Sequence, residues 1–248
     1  MTSPLGGKRA LITGAAGGIG RATALELARR GADLALVDLA SCAALAEEIA
    51  ALGRKGISLE ADVGDEAQAT AAVRRALDAL GGLDILINCA GIMLERPLLE
   101  TSADEFDRIV RVNLRGTFLM GRAGIKAMKE QGGGGRIVNI ASDLAYLGRA
   151  EFSAYCATKG AILSLTRSWA HEFAPDILIN SVAPGPVDTP MTSTKTMSPE
   201  WLEKETDNPL GRIGQPEEIA SVIAFLAGPE ATFITGQTFG PNGGSVMP

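Results

Sequence analysis

A doubly wound parallel α/β sheet is the fold this sequence predicts, and three observations predict it. Short apolar runs alternate with helix-patterned stretches along nearly all of the 248 residues. Most of those runs are apolar throughout, as strands buried on both faces are. A glycine-rich stretch, Thr13-Gly14-Ala15-Ala16-Gly17-Gly18-Ile19-Gly20, stands where the first strand turns into the first helix. Strand–helix alternation implies right-handed crossovers, and so about seven parallel strands with helices on both faces.

Taken in order, the periodicity predicts a strand over 8–13, a helix over 18–30 and a strand over 33–37. A helix over 40–52, a strand over 56–60, a helix over 65–80 and a strand over 84–88 follow. A long helical region spans 102–129, and four glycines at 132–135 read as a surface turn before a strand over 136–140. The last elements are a helix over 152–173, strands over 177–182 and 237–240, and a helix over 216–227 between those strands. The stretch 184–210 is rich in proline, with one short helix at 199–206. Long irregular segments in compact domains are often lids, and 187–210 is read as one, surface disorder being the alternative. No composition shift or internal repeat divides the chain, so 1–248 is expected to be one domain.

Bulk properties narrow the function. The net charge is −6, with no dense Lys/Arg block, which argues against nucleic acid or an anionic membrane as partner. No apolar run approaches a bilayer span, and the N-terminal residues lack the apolar core of a signal peptide. The three cysteines, Cys42, Cys89 and Cys156, are few and scattered, which suggests a reducing, cytoplasmic setting. His171 is the single histidine, so a histidine-based triad or multi-histidine metal site is not expected, and His171 itself reads as a helix-surface or interface residue. The acidic residues show no metal-ligand spacing, and no metal is expected.

In an open parallel sheet, ligands bind beyond the carboxyl ends of the strands. The residues that stand out follow those ends: the glycines, Asp38, Asp62, then Asn88-Cys89-Ala90-Gly91, Ser142, and Pro184-Gly185. A strand-to-helix turn with small residues at 14–20 leaves the first helix amides open to a pyrophosphate. Asp38 lies about 20 residues beyond that loop, where an acid accepts hydrogen bonds from an adenosine ribose and repels a 2′-phosphate. No Arg or Lys occupies 15–18, so NAD is expected rather than NADP. Asp38 also fits as a cap of the next helix, and Asp62 is either an adenine contact or a turn residue beside the competing cap Asp65. Tyr155 and Lys159 are four apart on a helix and share a face. An ammonium there favours the phenolate and brings a tyrosine toward the range of useful acid–base chemistry. Ser142, at a strand end, is placed to hold a carbonyl or alcohol oxygen beside the phenol.

Together these residues resemble the short-chain dehydrogenase/reductase family over almost the whole chain. The likeness rests on Thr13-Gly14 with Gly18-Ile19-Gly20, Asn88-Cys89-Ala90-Gly91, Asn113, Ser142, Tyr155 with Lys159, and the run Pro184-Gly185-Pro186-Val187-Asp188-Thr189. The resemblance implies a Rossmann fold and a catalytic tetrad of Asn113, Ser142, Tyr155 and Lys159. Tyr155 would be the general acid/base, Ser142 would orient the reacting oxygen, and Lys159 would lower the tyrosine pKa and hold the nicotinamide ribose. Asn113 would position a water of a proton relay. Gly14, Gly17, Gly18, Ile19, Gly20, Asp38, Asp62, Val63, Asn88, Ala90, Gly91, Pro184, Gly185, Val187 and Thr189 would bind the cofactor with Tyr155 and Lys159. Cys89 departs from the family, which more often has a second asparagine there.

The resulting expectation is an NAD-dependent dehydrogenase that interconverts a secondary alcohol (a polyol, cyclic alcohol or hydroxy acid) and a ketone. Ser142, Asp143, Leu144, Tyr155, Pro186 and Met191 would meet this small-molecule substrate, with Met93, Leu94 and Leu147 nearby. One alternative is a 3-oxoacyl-carrier-protein reductase, though 130–133 and 173–176 lack basic residues for an acidic carrier. A more remote alternative is a nucleotide-binding regulator without chemistry. The apolar residues Phe118, Leu119, Leu163, Leu165 and Trp169 exceed what one sheet face needs, and with the resemblance they suggest a homotetramer.

Overall fold

The strands that the apolar runs predict assemble into one parallel sheet of seven, in the order β3-β2-β1-β4-β5-β6-β7. The computed structural model describes residues 3–195 and 197–247; those parts of the expected 1–248 domain and 187–210 lid that fall on Met1, Thr2, Thr196 and Pro248 lie outside the described residues. The strands are β1 Arg9–Thr13, β2 Asp33–Asp38, β3 Gly56–Glu60, β4 Ile85–Asn88, β5 Gly135–Ile140, β6 Ile177–Val182 and β7 Thr238–Phe239. The helices are α1 Gly18–Arg29, α2 Ala43–Ala51, α3 Glu66–Leu80, α4 Ala103–Ile109 and α5 Gly116–Gln131, then α6 Leu144–Leu147, α7 Ser153–Phe173, α8 Pro199–Thr206 and α9 Pro216–Ala227.

Successive side chains along a strand point to opposite faces, so an all-apolar strand feeds two cores. Ile12, Ile85 and Ile87 pack with α1 and α9 through Leu27, Ile219 and Ile223. Leu11 and Leu86 enter the other core with Val73, Leu119 and Trp169 from α3, α5 and α7. The strand order reverses between β1 and β4, which is where an open α/β sheet forms its ligand crevice. Thr13 pins that point: its register partners are Val37 and Asn88. Its hydroxyl accepts hydrogen bonds from the Cys89 and Ala90 amides at 3.0 and 3.1 Å.

Three local expectations change. The helical region 102–129 is broken by a π-helical turn, Val110–Arg115, between α4 and α5. Gly135 belongs to β5, so the glycine turn is shorter than its four glycines imply. The helix α6 after β5 had no periodic signal, because four residues are too few to show one. The apolar residues read as surplus also find partners within the chain: Leu119, Leu163 and Trp169 are buried, and Leu165 packs against the α5–α7 core, leaving Phe118 exposed. His171 is exposed on α7, as expected. The cysteines are all free thiols. Among the described residues no helix is long and apolar enough to cross a membrane, and no cluster of His, Cys, Asp and Glu has metal-binding geometry.

Candidate active site

The glycine loop is shaped by close backbone approaches. Gly14 has φ +68°, and a Cβ there would lie 2.9 Å from the Ala90 backbone nitrogen. A Cβ on Gly20 would fall 2.0 Å from the Gly14 carbonyl oxygen, so α1 can pass over the end of β1 only without a side chain. Gly17, the N-cap of α1, offers no side-chain hydrogen bond to the helix amides. Those amides therefore face the crevice with the positive end of the helix dipole, as a pyrophosphate site requires. A crevice of about 310 Å³ opens above them, lined by Gly14, Gly17, Gly18, Ile19 and Gly20, and further along by Asp38. Gly91, Tyr155, Lys159, Pro184, Gly185, Val187 and Thr189 line it as well.

Asp38 does not cap α2, which begins at Ala43 behind the N-cap Cys42. Its carboxylate instead accepts from the Ala16 amide at 3.0 Å and the Ala40 amide at 3.2 Å. It thus ties the glycine loop to the end of β2 while still lining the crevice. Four further cofactor candidates make other contacts. Asp62 is ion-paired to Arg111 at 2.5 Å and accepts from the Gly64 amide, and Asp65 is the cap of α3. Val63 is buried in the core beside α3. Asn88 ties strands together, donating to Asn139 at 2.9 Å, and Ala90 is held through its amide by Thr13. None of these four lines the crevice; Cys89, Ile140, Ala141, Pro190 and Thr192 do. Ile140 and Ala141, at the end of β5, carried no signal in the sequence, whereas Cys89 lies within the motif after β4 and Pro190 and Thr192 within the segment read as a lid.

Ser142, at the end of β5, and Lys159, on α7, are both buried. Tyr155, on α7, lines the same crevice as Ser142, and the serine hydroxyl favours its phenolate form. The Lys159 ammonium donates to the Ile140 carbonyl at 2.7 Å and lies 5.6 Å from the centre of the Tyr155 ring. Asn113 sits in the π turn, fully buried. Its amide clamps the Ile92 backbone, accepting at 2.8 Å and donating at 2.9 Å, and also donates to Thr158 of α7. A Cβ on Gly91 would lie 3.4 Å from Asn113 and 3.6 Å from Lys159, so the four tetrad candidates converge around this glycine and the end of β5. The π turn supplies the register that turns Asn113 inward, as such bulges often do at functional sites.

Electrostatics depart from the simplest expectation. Burial pushes the Tyr155 phenol up to about 12, and the Asp143 charge adds to the rise. Burial also pushes the Lys159 ammonium down to about 8. The phenol therefore stands above its ordinary range in the protein alone, because desolvation outweighs the Ser142 hydroxyl that favours the phenolate.

A second cavity, about 380 Å³, adjoins the first and shares Ser142, Tyr155, Gly185, Met191 and Thr192 with it. The expected Asp143, Leu144, Pro186, Met93 and Leu147 line it; Leu94 does not. Asp143 does not point to solvent: it is buried, accepting from Ser142 at 3.1 Å and from Ser245 at 2.8 Å. The helix α8 closes the far wall. Its Glu205 is buried and ion-paired to Arg149 at 2.5 Å, with the guanidinium 5.6 Å from the Phe152 ring and 5.3 Å from that of Trp201. Trp201, Glu205 and Asn208 belong to the segment read as a lid, whereas Arg149, Phe152 and Ser245 are cavity residues that sequence reasoning missed. Their partners are dozens of residues apart, beyond any local pattern.

Known proteins agree with this geometry. Residues 14–245 match a family model described as enoyl-(acyl carrier protein) reductase. A short-chain dehydrogenase/reductase of Armillaria gallica is 45% identical, over 99% of this chain and 98% of that protein. A 3-oxoacyl-[acyl-carrier-protein] reductase of Vibrio harveyi is 38% identical over 98% and 99%, and a sorbitol dehydrogenase of Cereibacter sphaeroides 37% identical over 98% and 99%. Among solved structures, a short-chain type dehydrogenase/reductase from Mycobacterium marinum superposes with a TM-score of 0.94 at 36% identity, covering 100% of this chain and 98% of that one. A short-chain dehydrogenase from Burkholderia cenocepacia, solved in complex with NADP, has a TM-score of 0.90 at 35% identity over 97% and 98%. The chain belongs to the short-chain dehydrogenase/reductase family, whose members bind a nicotinamide cofactor, and is an oxidoreductase acting on CH–OH and C=O groups.

Proposed function

We propose that the protein is an NAD-dependent dehydrogenase that interconverts a secondary alcohol and a ketone, with Tyr155 as general acid/base. One observation carries this reading: Ser142 and Tyr155 line both the crevice and the adjoining cavity, so a substrate in one meets a cofactor in the other at these two side chains. The bare amides at the start of α1 and the glycines that a Cβ would block fit a pyrophosphate, and Asp38 fits an adenosine ribose. When bound, a nicotinamide would supply the hydride acceptor in oxidation and the hydride donor in reduction.

The chain's own residues do the rest. Tyr155 takes the alcohol proton in oxidation and returns it in reduction, and Ser142 orients the reacting oxygen. Lys159 holds the nicotinamide ribose, and Asn113, whose amide is committed to Ile92, fixes the neighbouring backbone where a proton relay would pass. Gly14, Gly17, Gly18, Ile19, Gly20, Gly91, Pro184, Gly185, Val187 and Thr189 form the cofactor wall. NAD is favoured over NADP because a 2′-phosphate beside Asp38 would meet a carboxylate, and the glycine loop holds no cation. The reading includes one domain with a lid at 187–210, a cytoplasmic setting and a homotetramer, for which Phe118 on α5 and Phe233 beside β7 remain exposed.

Tyr155→Phe is the test. Turnover is expected to fall by roughly 10³-fold or more while NADH binds within a few-fold, measured by absorbance and cofactor fluorescence. Retained turnover overturns the reading. A second reading, reduction of thioester-bound 3-oxoacyl groups, is supported by the 38% identity to the Vibrio harveyi reductase. Parallel rates with a short 3-oxoacyl thioester and with alcohols, using each dinucleotide, separate the two.

A further inference from the structure

The cavity beside Ser142 holds an unusual acceptor. Asp143 is buried, and the groups that donate to its carboxylate are the uncharged Ser142 and Ser245 hydroxyls. A carboxylate offers about four lone-pair sites, so acceptor capacity remains toward the cavity it lines. The cations of that lining, Arg149 and Lys204, are each paired to another acid, and Arg149 also acts on Asp143 at longer range. Arg149 is paired to Glu205 and stacked between Phe152 and Trp201, and Lys204 is paired to Glu200 and lies over Trp201. The other acids of the lining, Glu95 and Asp207, add negative charge. An anionic group entering here would face acids with no free cation among the described lining residues to receive it.

Spacing supplies the second argument. Ser142 Oγ and Asp143 Oδ1 are 3.1 Å apart, one hydrogen-bond length. Two oxygens on adjacent carbons, in the gauche arrangement, lie at a similar separation. An oxygen reacting against Ser142 and Tyr155 therefore leaves a neighbouring hydroxyl beside the Asp143 carboxylate, with its proton available to donate. A substrate lacking that hydroxyl leaves a buried carboxylate short of a donor, and such sites discriminate strongly against the deficient analogue.

Resting on the dehydrogenase reading, we infer that Asp143 is a specificity residue that selects an uncharged vicinal diol, or its α-hydroxyketone in the reverse direction, and excludes hydroxy acids. In oxidation the diol loses one carbinol C–H as hydride to the oxidised nicotinamide and the O–H proton to Tyr155. The product is the α-hydroxyketone, with the second hydroxyl unchanged on Asp143. Ser245 holds the carboxylate in place from the C-terminal segment, 102 positions away.

The experiment compares kcat/KM, with NAD, for vicinal cyclohexanediol, cyclohexanol and 2-hydroxybutanoate, in the native chain, Asp143→Asn and Asp143→Leu. NADH binding by fluorescence checks that each variant is folded. The native chain is expected to prefer the diol over the mono-alcohol by about tenfold or more, with the hydroxy acid poorest. The ratio of diol to mono-alcohol should fall toward one in Asp143→Leu, and the handicap of the hydroxy acid should shrink in Asp143→Asn. A native ratio near one overturns the inference while cyclohexanol turnover leaves the dehydrogenase reading standing. Equal losses on all three substrates also overturn it, reducing Asp143 to a positioning residue for Ser142. If no alcohol is oxidised with either dinucleotide while NADH binds, the dehydrogenase reading fails and this inference falls with it.

Discussion

The two cavities that meet at Tyr155 are built differently. The cofactor crevice is made of backbone and small residues from strand ends that neighbour one another in the sheet. The substrate cavity is made of large side chains from α6, α7, α8 and the C-terminal segment, joined by pairs such as Arg149 with Glu205 and Asp143 with Ser245. A backbone site tolerates little change and serves one ligand shape. A side-chain site can be respecified by a few substitutions without touching the sheet. The difference explains why one fold retains its cofactor while its substrates vary.

The largest expected effect lies on the backbone side. Gly20→Ala forces a Cβ to within 2.0 Å of the Gly14 carbonyl, and that atom belongs to the loop itself. NADH affinity should fall roughly 100-fold or more, or the chain should fail to accumulate folded; near-native affinity by fluorescence titration would show that the loop can yield. Lys159→Met comes next and separates activity from stability. Activity should be lost, because the ammonium beside Tyr155 is gone. The buried lysine has its pKa lowered to about 8, so below that pH its charged form costs stability, and the native state gains as pH rises from about 8 to 10.5. Replacement should therefore stabilise the fold at neutral pH by about 1 kcal/mol, after the loss of the bond to Ile140 is subtracted. The gain should vanish above pH 10.5; thermal midpoints at pH 7 and 11 check both signs.

Smaller effects sharpen the contrast. Asp38→Ala removes the carboxylate and one anchor of the Ala16 amide, so the ratio of NADP to NAD efficiency should rise about tenfold while NAD efficiency itself falls. An unchanged ratio would reduce Asp38 to a loop anchor. On the substrate side, Glu205→Gln removes the charge that Arg149 faces across the cavity wall. KM for the substrate should rise about tenfold, with kcat within about threefold and NADH affinity unchanged. A matching loss in NADH affinity would show that the two cavities are not independent.

Much of the site was legible before folding because its residues carry local reasons for their identity. Gly14 and Gly20 answer a steric demand within one turn, and Tyr155 and Lys159 share a face by helical spacing alone. Asn113 was reached only through resemblance, since nothing in its neighbourhood announces the π turn that directs it inward. The contacts of Asp62 and Asn88 are hard to read for a related reason. Each follows a strand end, yet Arg111 from the π turn and Asn139 from β5 claim their side chains. Surplus apolar residues on α5 and α7 suggested a partner, and the chain buried most of them itself, because a helix face exposed on paper is covered once neighbouring helices pack.

The sequence by itself determined the parallel sheet, the position of its ligand edge and the turn that can receive a pyrophosphate. Each follows from periodicity and from the sterics of a few adjacent residues. Only the tertiary structure decided the directions in which the pKa values of Tyr155 and Lys159 move, because desolvation depends on what the whole chain packs around them. It alone also placed Ser245 on Asp143 and Glu205 on Arg149, since hydrogen bonds between distant residues leave no trace in local order.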